Sequence, residues 1–252
     1  MTILIEAVGI THRGAVRENN EDCIAIGFWV EQGSMEAARR FEHPLDLPFA
    51  CLVADGMGGH NDGEKASQLV ARSLARRLSA QGPGHIGPAA RAVNAELYAQ
   101  FKEQPELAGM GSTVVGLVAY QKRLAIFNVG DSRAYRVNEG KLVQLSIDDT
   151  ATGSWKPGDE GERSTQLLQC FGGRTTFTDI EPNVHRESIA AGSTYLMCSD
   201  GLYETIPAER MAALIGADLV ASAEALLKAA LAAKCRDNVT IALVRINDAP
   251  AA

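Results

Sequence analysis

The sequence predicts an α+β fold in which two β-sheets pack face to face and helices cover their outer faces. Segments such as TVVGLVAY (113–120) and VTIALVRI (239–246) are almost uniformly apolar. Near-continuous apolarity indicates strands that are covered on both sides. Helical periodicity occurs in the middle of the chain, and Ala- and Leu-rich stretches near its C-terminal end also predict helices. The order of strands, helix pair, strands, helix pair predicts one domain over residues 1–247, with a frayed tail at 248–252.

The strands are predicted from short apolar runs that are bounded by turn residues. A tight hairpin is expected at Asn138, Glu139 and Gly140. The predicted strands cover residues 3–9, 23–30, 49–54, 113–120, 124–129, 134–137, 142–145, 179–188, 194–198 and 238–246.

Four helices are predicted from apolar residues at three- and four-residue spacing and from Ala- and Leu-rich composition. The first covers residues 63–80, and Asn61 with Glu64 resembles a capping box at its start. GPGHIGP (82–88) separates it from a second helix at 89–104, whose apolar face contains Val93, Leu97 and Phe101. The last two cover 207–215 and 219–234.

Composition excludes several classes of function. The formal net charge is −7 and the sequence contains no run of basic residues, which argues against nucleic acid and anionic membranes as partners. No segment approaches the ~20 apolar residues that span a bilayer. The N-terminus lacks the basic region of a signal peptide. The five cysteines are scattered and are expected to be reduced core thiols. We therefore expect a cytoplasmic monomer.

Four aspartates lie where apolar runs begin or end: Asp22, Asp55, Asp200 and Asp237. Carboxylate oxygens are preferred ligands of Mg²⁺ and Mn²⁺, and the glycine after Asp55 allows close backbone approach to a ligand. Taken singly, each aspartate is also explained as a turn or cap residue. Spacing alone cannot bring them together, so the residues themselves indicate only a possible metal site with oxygen ligands.

Six motifs occur in order along nearly the whole chain: RENNED (17–22), VADGMGGHNDGEKAS (53–67), GMGSTVVGLV (109–118), NVGDSRAYRV (128–137), CSDGLYE (198–204) and CRDNVTIALV (235–244). Together they resemble the bacterial metal-dependent Ser/Thr protein phosphatases of type 2C. The resemblance implies an α-β-β-α sandwich. It also implies two Mn²⁺ or Mg²⁺ ions, with Asp55 bridging them, the Gly56 carbonyl on the first, and Asp200 and Asp237 on the second.

The resemblance assigns roles to three residues of the first motif. Glu21 and Asp22 would hold waters on the metals, and Arg17 would contact the substrate phosphate. A surface salt bridge is the alternative for Arg17. The metals would generate a hydroxide nucleophile from water, so no cysteine should be essential. The implied substrates are phosphoserine and phosphothreonine proteins, and a Ser/Thr kinase is the implied partner.

Three features depart from the family pattern. Met57 stands where eukaryotic relatives often have a histidine, and methionine cannot transfer a proton. Ala108 replaces an aspartate of bacterial relatives, which puts a third metal site in doubt; Glu204 is the candidate to replace part of that ligand's role. The segment 146–165 is shorter than the usual flap and offers Trp155 as an exposed anchor.

Other polar residues in these motifs are predicted to be structural. His60 is expected to be structural in its loop; a proton donor and an indirect contact to the phosphate are the alternatives. Asp131 and Arg133 are expected to form a turn-stabilising pair, and Asp62 to favour a helix N-terminus. The other four histidines receive no role.

Two functions of other classes remain as alternatives. A weakly active or inactive module that binds a phosphoprotein would be compatible with Ala108, although a decayed enzyme should have lost Asp55, Asp200 or Asp237. A metal-dependent nuclease conflicts with the acidic charge.

Overall fold

The computed structural model describes residues 3–58, 62–153 and 166–248. The predictions for Asn61, His60 and Trp155, and for the side chain of Asp62, lie outside this description. So do residues 249–252 of the predicted tail. Its first residue, Asp248, ends the last strand and pairs with Ile3.

The helices follow the predicted order. The first pair is α1 (Asp62–Gln81) and α2 (Ile86–Glu103). The short α3 (Asp200–Tyr203), which was not predicted, precedes α4 (Ala208–Leu214) and α5 (Leu219–Ala232). Asp218 caps α5, because its carboxylate accepts the backbone N–H groups of Val220 and Ala221. None of the helices among the described residues is both long and apolar enough to cross a lipid bilayer.

Fifteen strands are described: β1 (Ile3–His12), β2 (Cys23–Ile26), β3 (Trp29–Glu31), β4 (Arg39–Pro44), β5 (Phe49–Ala54), β6 (Gly56–Met57), β7 (Gly111–Ser112), β8 (Val114–Tyr120), β9 (Arg123–Val129), β10 (Arg133–Asn138), β11 (Lys141–Gln144), β12 (Phe171–Gly172), β13 (Asn183–Ser188), β14 (Thr194–Cys198) and β15 (Val239–Asp248). They form two antiparallel six-stranded sheets, in the orders β11-β10-β14-β15-β1-β4 and β13-β9-β8-β5-β2-β3. The predicted α-β-β-α sandwich is confirmed.

The layers explain why so many strands are apolar on both sides. On β5, Cys51 and Val53 pack in the core between the two sheets. Their neighbours Leu52 and Ala54 pack in a second core, beneath α1 and α2. A third core lies between the other sheet and α3, α4 and α5. Alternate residues therefore enter different cores, and both sets must be apolar.

Three strand predictions differ from the structure. The strand predicted at 23–30 is a hairpin of β2 and β3, and Gly27 turns the chain with a φ of 58°. The strand predicted at 179–188 begins only at Asn183. β4 was not predicted because its sequence RRFEHP is polar, as is typical of an exposed edge strand.

A small third sheet, in the order β12-β7-β6, was also not predicted. Its strands have two residues each, too few for a periodic pattern. Met57 pairs with Gly111, and Gly111 pairs with Gly172. This sheet joins the Asp55-Gly56 loop to two distant parts of the chain.

Candidate metal centre

Asp55 follows β5, and the surrounding backbone holds it closely. Its carbonyl oxygen accepts hydrogen bonds from the Thr113 N–H, at 2.9 Å, and from the Ser112 hydroxyl, at 3.0 Å. The next residue, Gly56, donates its N–H to the Glu21 carbonyl at 3.2 Å. A Cβ on Gly56 would lie 2.2 Å from the Gly63 carbonyl oxygen, so only glycine fits there.

Asp200 and Asp237 reach the same end of the sandwich from the other sheet. Asp200 follows β14 as the first residue of α3, and Asp237 lies two residues before β15. β14 and β15 are paired neighbours, with Cys198 opposite Ile241. Pairing of these strands therefore brings the two carboxylates together.

Asn238 organises the site, and the sequence analysis missed it. Its amide donates to the carbonyl oxygens of Arg13, at 3.0 Å, and Asn19, at 2.8 Å. Its side-chain oxygen accepts the Glu21 N–H at 2.8 Å. It thereby ties the 13–21 loop to Asp237. The only sequence signal was an Asn directly after a candidate ligand.

Asp22 is fully buried between the sheets, where Ser199 donates its hydroxyl to Asp22 Oδ2 at 2.6 Å. Ser199 in turn accepts the Thr240 N–H at 3.0 Å. Burial raises the pKa of Asp22 to about 7, and the negative charges of Asp200 and Asp237 add to the rise. Hydrogen bonds to the carboxylate oppose that shift. Ser199 is a second residue that the sequence analysis missed.

The acidic residues influence one another strongly. Burial, followed by the negative charges of Asp22 and Asp200, raises the pKa of Asp55 well above its usual range. Asp131 and Asp237 contribute in the same direction. A group of carboxylates with raised pKa values needs protons or cations to offset its charge.

The donor set fits hard divalent ions, because it consists of carboxylate and carbonyl oxygens. Among the residues that the structure describes, no three carboxylate, imidazole or thiol side chains already enclose a position for an ion. The carboxylates repel one another, and Asp22 is also held by its hydrogen bond from Ser199. Both effects keep these side chains apart until a cation offsets their charge.

Arg17 lies at the mouth of this site, and its guanidinium donates to Asp237 Oδ2 at 2.7 Å. The Arg17 side chain is 52% exposed. A hydrogen bond from the guanidinium to Asp237 and the charge of Asp237 raise the pKa of Arg17, so it is cationic at any working pH. The sequence left two interpretations of Arg17 open, a phosphate contact and a surface salt bridge. The structure shows an ion pair, and its acidic partner, Asp237, is itself a candidate metal ligand.

The GDSR residues make contacts that the sequence did not predict. Arg133 is buried and donates to both oxygens of Asp148, at 2.7 to 3.2 Å. Its guanidinium carbon also lies 3.9 Å from the centre of the Tyr203 ring. Asp131 instead contributes negative charge near Asp55. Arg133 is thus structural through a longer-range pair, and Asp131 belongs to the acidic group.

The positions that depart from the family pattern lie in different places. Met57 is in β6, beside the candidate ligands. Ala108 follows a 3₁₀ turn and lines an apolar pocket with Tyr98 and Phe177. Glu204 ends α3 and donates its N–H to the Asp200 carbonyl at 2.9 Å.

Comparison with known proteins gives a consistent result. The family model for protein phosphatase 2C matches residues 41–233. The chain is 33% identical over 260 residues to the serine/threonine protein phosphatase PstP of Mycobacterium tuberculosis, covering 98% of this chain and 46% of that protein. It is 29% identical to the serine/threonine phosphatase stp of Listeria monocytogenes, covering 93% of both.

Among solved structures, the catalytic domain of PstP in complex with two manganese ions superposes with a TM-score of 0.77 and 32% identity. That match covers 98% of this chain and all of the PstP domain. The chain thus spans about half the length of the full mycobacterial relative. It belongs to the protein phosphatase 2C family.

Proposed function

We propose that this chain is a metal-dependent protein phosphatase that hydrolyses phosphoserine and phosphothreonine and reverses the action of a Ser/Thr kinase. The observation that carries the proposal is the convergence of Asp22, Asp55, Asp200 and Asp237, from separate segments, at one end of the sandwich. The names of the relatives support the same activity. We further propose one catalytic domain over residues 1–247 that acts as a cytoplasmic monomer and binds neither nucleic acid nor membrane.

Two Mn²⁺ or Mg²⁺ ions would be held by the carboxylates of Asp55, Asp200 and Asp237 and by the carbonyl of Gly56. The PstP domain, whose structure is in complex with two manganese ions, supports the number and the type of ions. When bound, such ions activate water as a nucleophile and offset charge on the phosphoryl oxygens. Ala108 supplies no ligand, so the third metal site stays in doubt.

Other residues of the chain would position substrate and solvent. Glu21 and Asp22 would orient waters at the metals, and Asn238 would hold the Glu21 backbone in place. Arg17 would donate to the phosphate, which competes with Asp237 for the guanidinium. Met57 carries no transferable proton, so the leaving serine or threonine oxygen would take a proton from water.

The activity is tested by phosphate release from a phosphothreonine peptide, with Mn²⁺ and after its removal with EDTA. We expect release only with the metal, and recovery when Mn²⁺ is returned in excess. A folded, Mn²⁺-loaded protein that releases no phosphate from several peptides would contradict the proposal. It would favour the module that only binds a phosphoprotein.

Arg17→Ala is expected to lower kcat/KM for the peptide by about 10- to 100-fold, since one charge-assisted hydrogen bond contributes about 1.5–3 kcal/mol. Arg17→Lys should restore part of the loss, because lysine keeps the charge but not the planar fork. Steady-state kinetics would measure both variants.

Arg40→Ala is the matched control for Arg17. Arg40 is 53% exposed and is likewise ion-paired, with Glu6, but it lies on the edge strand β4. It should keep the kcat/KM of the unaltered protein. Equal kcat/KM for Arg17→Ala and Arg40→Ala would show that Arg17 is only a surface ion pair.

A further inference from the structure

A cavity of about 230 Å³ lies directly beside the candidate metal centre, and the proposed reaction does not use it. One wall is Met57, the residue after Gly56. The rest of the lining comes from residues 167–180. The side chains that line the cavity include Met57, Leu167, Leu168, Cys170, Arg174 and Ile180.

The small sheet fixes this cavity relative to the metal centre. Through Gly111, β7 pairs with Met57 on one side and with Gly172 on the other. The Gly173 N–H also donates to the Met110 carbonyl at 2.9 Å. The backbone before Arg174 is therefore hydrogen-bonded into the same sheet as the Asp55-Gly56 loop.

Two glycines turn the chain so that Arg174 reaches this position. Gly172 and Gly173 have φ values of 63° and 71°, which favour glycine. A Cβ on Gly172 would lie 2.5 Å from the Met110 carbonyl oxygen. The sequence CFGGRT was not singled out by any motif, yet its geometry is closely constrained.

Arg174 is the one charged residue among the described residues that line the cavity. It is exposed, and no ion pair of Arg174 occurs within the described parts of the chain. Cys170 lines the same cavity. Burial raises the pKa of its thiol, with Arg174 opposing that shift and Asp131 adding to it, so both charges act at this position. A cation that forms no ion pair with the described residues thus lines a cavity next to the acidic site, where the other nearby cation, Arg17, is paired with Asp237.

We propose that Arg174 is a specificity-determining residue that binds a glutamate or aspartate carboxylate of the substrate, within two residues of the phosphoresidue. The inference rests on the proposed phosphatase function and adds the class of substrate sequence. The apolar walls suit the methylene stem of such a side chain, and the guanidinium suits its carboxylate. At the candidate metal centre itself, the aspartates would repel a substrate carboxylate.

The test uses phosphothreonine peptides in a glutamine background, with one Glu placed at position −2, −1, +1 or +2. The readout is the kcat/KM of each Glu peptide divided by that of the all-Gln peptide, measured with saturating Mn²⁺. For at least one position we expect a preference of about two- to fivefold, as a solvent-accessible ion pair allows.

Arg174→Ala should reduce this ratio to about one, and Arg174→Glu should reverse it in favour of a Lys peptide. Arg174→Lys should keep part of the preference. The preference should also weaken at 0.5 M NaCl, because salt screens exposed charges. Arg210→Glu, on α4 beside the other sheet, is the control with the same change of charge and should keep the ratio.

Each outcome decides between the two proposals. Hydrolysis of the all-Gln peptide tests the phosphatase activity by itself. If that peptide is hydrolysed but all ratios are near one, or are unchanged by Arg174→Ala, the role of Arg174 is wrong and the phosphatase stands. If no peptide is hydrolysed, the proposed function fails and the inference fails with it.

Discussion

Asp55→Asn is expected to lower kcat for the phosphothreonine peptide by about 10³-fold, the equivalent of ~4 kcal/mol. Asp55 is the proposed bridging ligand, and an amide lacks the negative charge that holds a divalent ion. The loss should persist at high Mn²⁺, because the amide would weaken the binding of both proposed ions. Steady-state phosphate release over a Mn²⁺ titration would measure it.

The same substitution should have the opposite effect on stability without metal. The pKa of Asp55 is raised in the fold. A carboxylate with a raised folded pKa destabilises the protein at every pH above its unfolded value of ~3.9. In EDTA at neutral pH, Asp55→Asn should therefore increase the free energy of unfolding. Thermal unfolding should show a higher midpoint temperature than for the unaltered protein.

Asp218→Asn is the matched control. It makes the same change of charge at the N-cap of α5, where asparagine caps equally well. Its activity and stability should stay close to those of the unaltered protein. If Asp55→Asn retains most of its activity, or is less stable than Asp218→Asn in EDTA, the metal centre is assigned wrongly.

Gly56→Ala is expected to destabilise the protein by about 3 kcal/mol, at the upper end for overpacked sites. The new Cβ would meet backbone on two sides: the Gly63 carbonyl oxygen at 2.2 Å and the Glu21 carbonyl oxygen at 2.6 Å. Backbone cannot rotate away as a flexible side chain can, so the Asp55-Gly56 loop must shift. Thermal unfolding should show a fall of about 6–12 °C, and calorimetry should show weakened Mn²⁺ binding.

Gly84→Ala provides the comparison, since a Cβ there would meet nothing within 4 Å. It should leave the unfolding temperature and the affinity for Mn²⁺ nearly unchanged. If both glycine variants unfold at the same temperature, the close approach at Gly56 is not a constraint on the fold.

The layered architecture was predictable because it depends on local patterns. Continuous apolar runs indicated strands covered on both sides, and the alternation of Leu52 and Val53 between two cores shows why. Helix periodicity located α1 and α2, and Ala- and Leu-rich composition located α4 and α5, to within a few residues. β4 was not predicted, because an exposed edge strand needs no apolar face and therefore shows no apolar pattern.

The candidate site was predictable in composition and not in arrangement. Acidic residues at strand ends, and then the six motifs, indicated the candidate ligands. Asp200 lies beside Asp237 because β14 pairs with β15. Likewise Asn238, Ser199 and the Arg133–Asp148 pair act across 15 to 225 residues of chain.

The family, the layers and the chemical type of the ligands could therefore be predicted from the sequence, because each depends on patterns within short stretches of the chain. Tertiary structure alone decided that Arg17 lies against Asp237 and that Asn238 ties the 13–21 loop to the site. It also placed Arg174 beside Met57 through strands of only two residues. Such contacts leave no periodic signal, since they form only when distant segments pair and pack.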